Sequence, residues 1–371
     1  LVVVIGGRLS LHVPRLRTSL MSRTGIAFAL LSAAAFGAST PVAKILLASI
    51  DPWILAGVLY LGAGVGLAAV HGLRSLVGPS GAEAPLRRSD VPRLLVAILA
   101  GGVLGPLLLM YGLAGTDAAG ASLLLNVEGL ATMAIAWMAY RENVDRRLLA
   151  GALAILAGGV ILTVGEPATF QVGALLIVAA CVCWGIDNNV TRGIAGADPV
   201  RIAMIKGLVA GVVNIALGML GGATWPASGV LAIAVLTGFL GYGVSLALYV
   251  LALRHLGAAR TAAYFSLAPF VGALLAVALL DEPVTARLIA AAGLMGAGLW
   301  LHLAERHDHE HAHGTFEHEH RHRHDDHHRH GHGREDPPGE PHTHRHTHAE
   351  LVHRHPHYPD LHHRHRHGPE A

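Results

Sequence analysis

The chain has 371 residues, of which 53% are hydrophobic and only 14% are charged, and its mean hydropathy is +0.49. This composition excludes an ordinary soluble domain, because helices at the surface of such a domain alternate apolar with polar residues. The formal net charge of +2 says little about partners by itself, and we expect no nucleic acid among them.

Long uncharged runs before residue 305 predict an all-α polytopic membrane protein. A hydrocarbon core about 30 Å thick needs ~20 apolar residues per helix, and continuous apolar runs argue against the alternating strands of a membrane barrel. Residues 1–24 are interpreted as an N-terminal extension, with Met21 as the expected start. The ten predicted transmembrane helices are 25–47, 52–71, 93–113, 117–139, 146–164, 171–192, 199–221, 229–252, 258–280 and 285–303.

The basic residues of the short loops predict the orientation. With the N-terminus in the cytoplasm, fifteen arginines lie at inner segments, whereas only Lys44 and Arg287 lie at outer ones. We therefore expect a multi-pass protein of the inner (plasma) membrane with both termini in the cytoplasm.

The two halves of the apolar region resemble each other in sequence. The segment "YRENVDRRLLAGALAILAGGVIL" at 140–162 aligns without a gap with "LDEPVTARLIAAAGLMGAGLWL" at 280–301, and "AAFGASTPVAK" at 34–44 aligns with "VCWGIDNNVTR" at 182–192. We predict five-helix repeats at 25–164 and 171–304. Because five is odd, the second repeat is inverted in the membrane, an arrangement typical of secondary transporters that bind substrate between the halves.

These motifs resemble the EamA family of the drug/metabolite transporter superfamily, on "FGASTPVAK" in the first span and on "YRENV" and "LDEPV" after the fourth and ninth spans. The resemblance covers residues 24–304 and implies alternating-access transport of small metabolites, without naming one. We expect a secondary active transporter, an exporter of a small polar metabolite that works by proton coupling or exchange, and no enzymatic activity. Its partners are then the substrate and the lipid bilayer, and the oligomeric state stays open.

Glu128 lies eleven residues from each end of the predicted fourth span, near the bilayer centre. A charge at this depth costs roughly 2.5–3.5 kcal/mol on insertion scales, so such residues usually have a function. We predict proton coupling by Glu128, with a structural hydrogen bond between helices as the alternative. Asn126 faces a different side of the helix, where it contributes to the cavity or holds helices together.

The sixth span ends in "CWGIDNNVTRG", and three successive polar residues predict an unwound helix lining a cavity. In the seventh span Lys206 and Asn214 share one helix face. Lys206 is predicted to neutralise Asp187 or Glu128 in competition with substrate, and the alternative is that it snorkels to the interface. The predicted cavity consists of Asn126, Asp187, Asn188, Asn189, Lys206 and Asn214.

Four charged residues lie at equivalent positions of the two repeats: Lys44 with Arg192, and Glu142 with Glu282. The topology places Lys44 and Glu282 outside and the other two inside. We predict two gating ion pairs, Lys44–Glu282 and Arg192–Glu142. The alternative is solvated helix ends, where a pair contributes only ~0–1 kcal/mol.

Residues 305–371 form a His-rich cytoplasmic tail, which holds 23 of the 27 histidines and has too few apolar residues to fold. Transport requires no cofactor, but neutral imidazoles bind Zn²⁺, Ni²⁺, Co²⁺ or Cu²⁺. The predicted ligands are His307, His309, His311, His313, His318, His320, His322, His324, His327, His328, His330 and His332.

The tail leaves three further roles open. The chain could export divalent metal (Ni, Co or Zn) with the tail as a cytoplasmic collector, although the spans contain no His/Asp pair at helical spacing. It could instead be a membrane-bound metal sensor or buffer, or the histidines could sense pH.

Overall fold

The computed structural model describes residues 15–77, 86–140, 146–194, 197–256, 261, 264–303, 308–313, 316–322, 342–348 and 351–356. Several predicted functional residues lie outside these ranges: Glu142, His307, His324, His327, His328, His330 and His332.

The described residues form α-helices joined by short connections. Their bounds are α1 Arg15–Leu46, α2 Pro52–Val77, α3 Val91–Ala97, α4 Gly105–Ala114, α5 Ala118–Leu124, α6 Val127–Tyr140, α7 Arg146–Thr163, α8 Ala168–Arg192, α9 Pro199–Leu220, α10 Ser228–Thr237, α11 Ser245–Leu256, α12 Ala268–Leu280 and α13 Ala286–Leu303. A 3-10 turn, Arg88–Asp90, precedes α3. Two π-helical segments, Ile98–Leu104 and Gly238–Val244, connect α3 to α4 and α10 to α11.

Eight helical stretches among the described residues are long and apolar enough to cross a membrane, and they match the first eight predicted spans to within a few residues. The shorter apolar helices α12 and α13 lie within the last two predicted spans. Large apolar side chains such as Leu99, Trp137 and Leu274 are exposed on the outer surface. Lipid is the environment that suits such a surface.

The helices pack in pairs that correspond between the two halves of the chain. α2 packs against α9, and α7 against α13, which are equivalent helices in the predicted repeats. α1 packs against α11 and α12, whereas α8 packs against α4 and α6, which are the same pairs with the halves exchanged. Glycines make these contacts close, because a Cβ at Gly207 or Gly211 would collide with the backbone of α2. The opposite threading of the halves stays a prediction.

The two π-helical segments also correspond, since they begin 140 residues apart, at Ile98 and Gly238. This is the offset at which the sequence aligns residues 140–162 with 280–301. Single π turns inside α-helices are frequent at functional sites, because they leave backbone carbonyls free of regular helical bonding. The segments therefore mark positions in both halves at which to look for function.

The predicted unwinding at residues 187–189 is wrong, because α8 continues as regular helix to Arg192. The side chains of Asn188 and Asn189 bond mainly to α6 and do not disrupt the helix backbone of α8. The irregular backbone lies instead in the fourth span, where Leu125 and Asn126 form a turn between α5 and α6.

The tail, for which the sequence predicts disorder, forms four short strands in the described residues: β1 Asp308–His313, β2 Phe316–His322, β3 His342–His348 and β4 Leu351–Pro356. β1 pairs with β4, and β2 with β3, both antiparallel. Strict alternation of histidine with other residues has the period of a strand, whereas the overall composition, which predicts disorder, contains no information about period.

Candidate functional site

An ion pair connects α8 to α9 within the membrane region. Lys206 Nζ donates to Asp187 Oδ2 at 2.5 Å, and the Asp187 and Lys206 side chains are 5% and 21% exposed. Thr191 Oγ1, one turn along α8, donates to the other carboxylate oxygen of Asp187 at 3.0 Å. Both carboxylate oxygens thus have partners, as a buried charge requires. The structure therefore places Lys206 against Asp187, one of the two partners that the sequence suggests.

The π-helical segment of the third span lies directly against this pair. A Cβ at Gly101 would overlap the Asp187 carboxylate, so the absence of a side chain allows the close approach. The Gly101 carbonyl oxygen accepts hydrogen bonds from Tyr60 Oη at 2.7 Å and from Trp184 Nε1 at 3.0 Å. α2, α8 and the π-helical segment are thereby fixed around the ion pair.

Asn214 lies on the same side of α9 as Lys206, two helical turns further along, and is fully buried. Its Nδ2 donates to the Gly102 carbonyl oxygen at 3.2 Å, whereas its Oδ1 has no hydrogen-bond partner among the described residues. Because a buried acceptor without a partner costs about 1–3 kcal/mol, Asn214 is a candidate ligand-binding residue beside the π-helical segment.

Glu128 contacts α8 from α6. Its Oε1 accepts from Asn188 Nδ2 at 3.0 Å, and the same amide lies 3.2 Å from Thr132 Oγ1. Glu128 is half-buried and Asn188 is exposed. Glu128 also lies within electrostatic reach of both Lys206 and Asp187. The two carboxylates and the ammonium group therefore form one charged cluster, which we call the 128–187–206 cluster.

The other two predicted cavity residues have structural partners. Asn189 Nδ2 donates to the carbonyl oxygens of Gly185 and Thr132, at 2.8 and 3.0 Å, and so ties α8 to α6. Asn126 Nδ2 donates to the Leu123 carbonyl oxygen at 2.8 Å in the turn after α5. The structure does not bring Asn126 into the 128–187–206 cluster.

The predicted Lys44–Glu282 ion pair is not formed; both residues instead bind the turn between α4 and α5. Lys44 Nζ donates to the carbonyl oxygens of Leu113 and Thr116 at 2.7 and 2.6 Å, where α4 ends. Glu282 accepts from the first two amides of α5 at 2.6 and 2.8 Å. A cation at a helix C-terminus and an anion at a helix N-terminus both interact favourably with the helix dipole, which explains the arrangement.

The predicted inner pair, Arg192 with Glu142, involves a residue outside the described ranges and stays a prediction. An ion pair that the sequence analysis missed joins Arg287, near the start of α13, to Glu166, just after α7. Their charges were visible in sequence, but nothing indicated that the two loops meet.

Tyr60, Trp184 and Thr132 were also missed as parts of the site, because single aromatic or hydroxyl residues in an apolar span look like packing residues. The glycines of "AGGVLG" look like packing residues in the sequence, but at the offset of 140 residues Gly101 corresponds to Gly241 in "GFLGYG" of the other half. This equivalent pair of glycines is a signal that points to the π-helical segments.

The 128–187–206 cluster belongs to one half of the repeat. In the sequence alignment of the halves, Asp187 corresponds to Ser39, and alignment of "DPW" at 51–53 with "DPV" at 198–200 makes Lys206 correspond to Leu59. Ser39 lies against Gly241, in the second π-helical segment, as Asp187 lies against Gly101 in the first. The backbone arrangement is therefore shared by the halves, whereas the charges are not.

Elsewhere in the described residues, no three His, Cys, Asp or Glu side chains are grouped so that they could hold a metal ion.

Comparison with known proteins gives three findings. The model of the EamA-like transporter family matches this chain twice, over residues 23–164 and 171–304. A protein of Methanothermobacter thermautotrophicus described as an uncharacterized transporter is 31% identical over 263 residues, which are 67% of this chain and 77% of that protein. A solved crystal structure that is 20% identical superposes with a TM-score of 0.53, over 78% of this chain and 96% of the other, and this likeness bears on the fold alone.

The two family matches cover both predicted halves and include every residue of the 128–187–206 cluster. The chain belongs to the EamA-like transporter family.

Proposed function

We propose that this protein is a secondary active transporter that exports a small polar metabolite by alternating access across the inner (plasma) membrane. The Asp187–Lys206 ion pair carries the proposal, because a charged pair at membrane depth is expensive and usually marks a substrate or ion pathway. The corresponding helix pairs and π-helical segments of the two halves support a movement of one half against the other.

The cluster favours a substrate that carries both a positive and a negative group. Such a molecule can exchange its own charges for those of Asp187 and Lys206, so that neither side chain is left buried without a counter-charge. The Oδ1 of Asn214, which has no hydrogen-bond partner in the described part of the chain, adds an acceptor for a donor on the substrate. A zwitterionic metabolite, such as an amino acid, fits this combination of groups.

Glu128 is proposed as the coupling group. Glu128 lies at membrane depth, and its carboxylate accepts a hydrogen bond from the neutral Asn188 amide and not from the Lys206 ammonium group. Protonation of Glu128 would remove one negative charge from the cluster and change its balance with Lys206. Binding of a proton to Glu128 is thereby linked to binding of a charged substrate by the 128–187–206 cluster.

The arginines at the inner loops support cytoplasmic termini. If the substrate reaches the 128–187–206 cluster from the cytoplasmic end of α8, the direction of transport is export. Metal export is not proposed, since the described membrane residues provide no group of three metal-binding side chains.

The test uses the full-length protein in liposomes and labelled amino acids, with and without an imposed pH gradient. We expect gradient-stimulated transport by the unmodified protein and loss of the stimulation in Glu128→Gln, which keeps a hydrogen-bond acceptor for Asn188. Glu166→Gln, which alters a carboxylate that pairs with Arg287 and is not part of the 128–187–206 cluster, is the matched control and should retain stimulation. Equal stimulation in Glu128→Gln and the unmodified protein would reject the coupling role.

A further inference from the structure

A continuous row of five aromatic rings connects the two halves of the chain. The ring centroids of Tyr60 and Tyr242 are 5.6 Å apart, and those of Tyr242 and Phe36 are also 5.6 Å apart. The row continues from Phe36 to Phe265 at 5.5 Å and from Phe265 to Tyr249 at 5.1 Å. Each ring is inclined to the next by 44–75°, so that successive faces point in different directions. We call these five residues the aromatic row.

Both ends of the aromatic row lie beside the 128–187–206 cluster. At one end, Tyr60 Oη donates to the carbonyl oxygen of Gly101, the glycine that lies against the Asp187 carboxylate. Glu128 lies within electrostatic reach of the hydroxyl groups of Tyr60 and of Tyr249, the last ring of the row. The rings and both carboxylates of the cluster therefore belong to one region of the molecule.

Several groups in this region keep accessible surface although they lie inside the protein. Tyr242, Tyr249 and Glu128 are surrounded by protein atoms, yet each of them is only half-buried. Phe36 and Phe265 are half-buried as well. Surface that stays accessible on a group surrounded by protein faces an internal space. A molecule in that space contacts ring faces and a carboxylate together.

The combination of ring faces with excess negative charge selects a particular kind of cation. The cluster has two carboxylates for one ammonium group, and the faces of aromatic rings also attract positive charge. A primary ammonium group has three N–H donors, which ring faces satisfy poorly. A quaternary ammonium group has no donor to satisfy, and aromatic surroundings are the sites that bind it.

We infer that the aromatic row binds a quaternary ammonium group, and that the substrate is an N-methylated zwitterion of the betaine class. The methylated nitrogen lies against the rings and next to the carboxylates of Glu128 and Asp187, and the substrate carboxylate lies against Lys206. This inference rests on the proposed function and narrows its zwitterionic substrate to methylated amines.

The experiment measures binding to the full-length protein in detergent by isothermal titration calorimetry. The probes are glycine betaine, glycine and tert-butylacetate, which has the shape and the carboxylate of glycine betaine but a carbon atom in place of the charged nitrogen. A desolvated contact between a cation and an aromatic ring corresponds to about 30-fold in affinity. Glycine betaine should therefore bind at least about tenfold more tightly than either other probe. Equal affinity for glycine betaine and tert-butylacetate, or tighter binding of glycine, would overturn the inference.

Variants of the row test whether the rings cause the preference. Tyr242→Leu should lower the affinity for glycine betaine by at least about threefold and leave that for tert-butylacetate nearly unchanged, whereas Tyr242→Phe should recover most of the loss. Tyr249→Leu, at the other end of the row, should act in the same direction. Trp137→Leu is the matched control, because its ring is exposed on the outer surface. Equal losses for both probes in Tyr242→Leu would show that the ring is structural only.

The binding assay and the liposome assay fail separately. Gradient-stimulated transport of amino acids without preferential binding of glycine betaine would reject the aromatic row as a quaternary ammonium site and leave the proposed transport function standing. Preferential binding of glycine betaine together with full gradient stimulation in Glu128→Gln would reject proton coupling by Glu128 and support the aromatic row.

Discussion

At the scale of single residues, the Asp187–Lys206 pair has two separable roles. It connects α8 to α9 at 2.5 Å, and it holds two charges that a substrate could use. A variant that removes one partner leaves the other charge buried, so loss of transport in a single variant does not distinguish the roles. A neutral pair of similar size does distinguish them.

Lys206→Met should destabilise the protein strongly, because breaking a buried ion pair from one side costs about 3–5 kcal/mol. Asp187→Asn combined with Lys206→Met should recover most of that stability without recovering transport. Thermal unfolding in detergent measures the first quantity and liposome uptake the second. Recovery of transport in the double variant would show that the pair is structural only.

Lys44 and Glu282 show that charges at equivalent positions of the two repeats need not pair with each other. The sequence suggested that they pair with each other, whereas each binds backbone groups of matching polarity around the turn between α4 and α5. The sequence shows that the two positions are equivalent. It does not show that the end of α4 and the start of α5 lie between the two side chains.

Exchange of these two charges provides a direct test. If Lys44 and Glu282 formed an ion pair, Lys44→Glu combined with Glu282→Lys would restore what each single change loses. We expect the double variant to be at least as unstable as either single one, because a carboxylate cannot donate to carbonyl oxygens and an ammonium cannot accept from amides. Each charged hydrogen bond contributes about 1.5–3 kcal/mol, so thermal unfolding detects the difference. A restored unfolding temperature would contradict the backbone arrangement.

At the scale of helices and segments, the π-helical segments explain why the site lies where it does. The first segment brings Gly101 against Asp187, and its carbonyl oxygens bind Tyr60, Trp184 and Asn214. A regular helix with a larger residue at this position would exclude the carboxylate. The segment therefore positions the cluster through the shape of its backbone.

Gly101→Ala should displace the Asp187 carboxylate, because the added Cβ would overlap it. We expect a marked loss of transport with a modest loss of stability. Gly293→Ala in α13 is the matched control, since no atom lies within 4 Å of a Cβ there and alanine favours a helix by about 1 kcal/mol over glycine. Uptake assays of both variants, at equal protein levels, make the comparison. Unchanged uptake by Gly101→Ala would show that the close approach has no functional role.

Hydropathy was enough to predict the helices, because a span needs only length and the absence of charge. The positions of Asp187 and Lys206 as a pair could also be predicted, since both lie at similar depth on neighbouring helices. The π-helical segments and the regular course of α8 through Asn188 could not. They depend on which helix lies opposite, and Asn188 finds its partner in Glu128, 60 residues away in the chain.

At the scale of the whole molecule, the family match to both halves fits an internal duplication, and the orientation of the halves in the membrane is the remaining structural question. The predicted threading requires that the loop before α8 lie outside the cell and that the loop before α9 lie in the cytoplasm. Thr169 and Arg201 are exposed near these loops and suit chemical labelling.

We expect a membrane-impermeant maleimide to label Thr169→Cys in intact cells and to label Arg201→Cys only after the cells are opened. Both variants are made in a background with Cys181→Ala and Cys183→Ala, which removes the natural thiols. The positive-inside rule predicts this result from the arginines at the inner loops. Labelling of both positions in intact cells, or of Arg201→Cys alone, would contradict the predicted threading.

In the proposed transport cycle, the confinement of the charges to one half would make the two ends of the cycle unequal. Opening of the molecule where α8 ends would let water reach Asp187 and Lys206, and hydration of two ions is far more favourable than hydration of the serine and leucine at the matching positions. The unloaded carrier would then rest open on that side. If that side is the cytoplasm, the empty carrier would bind its substrate inside the cell and release it outside.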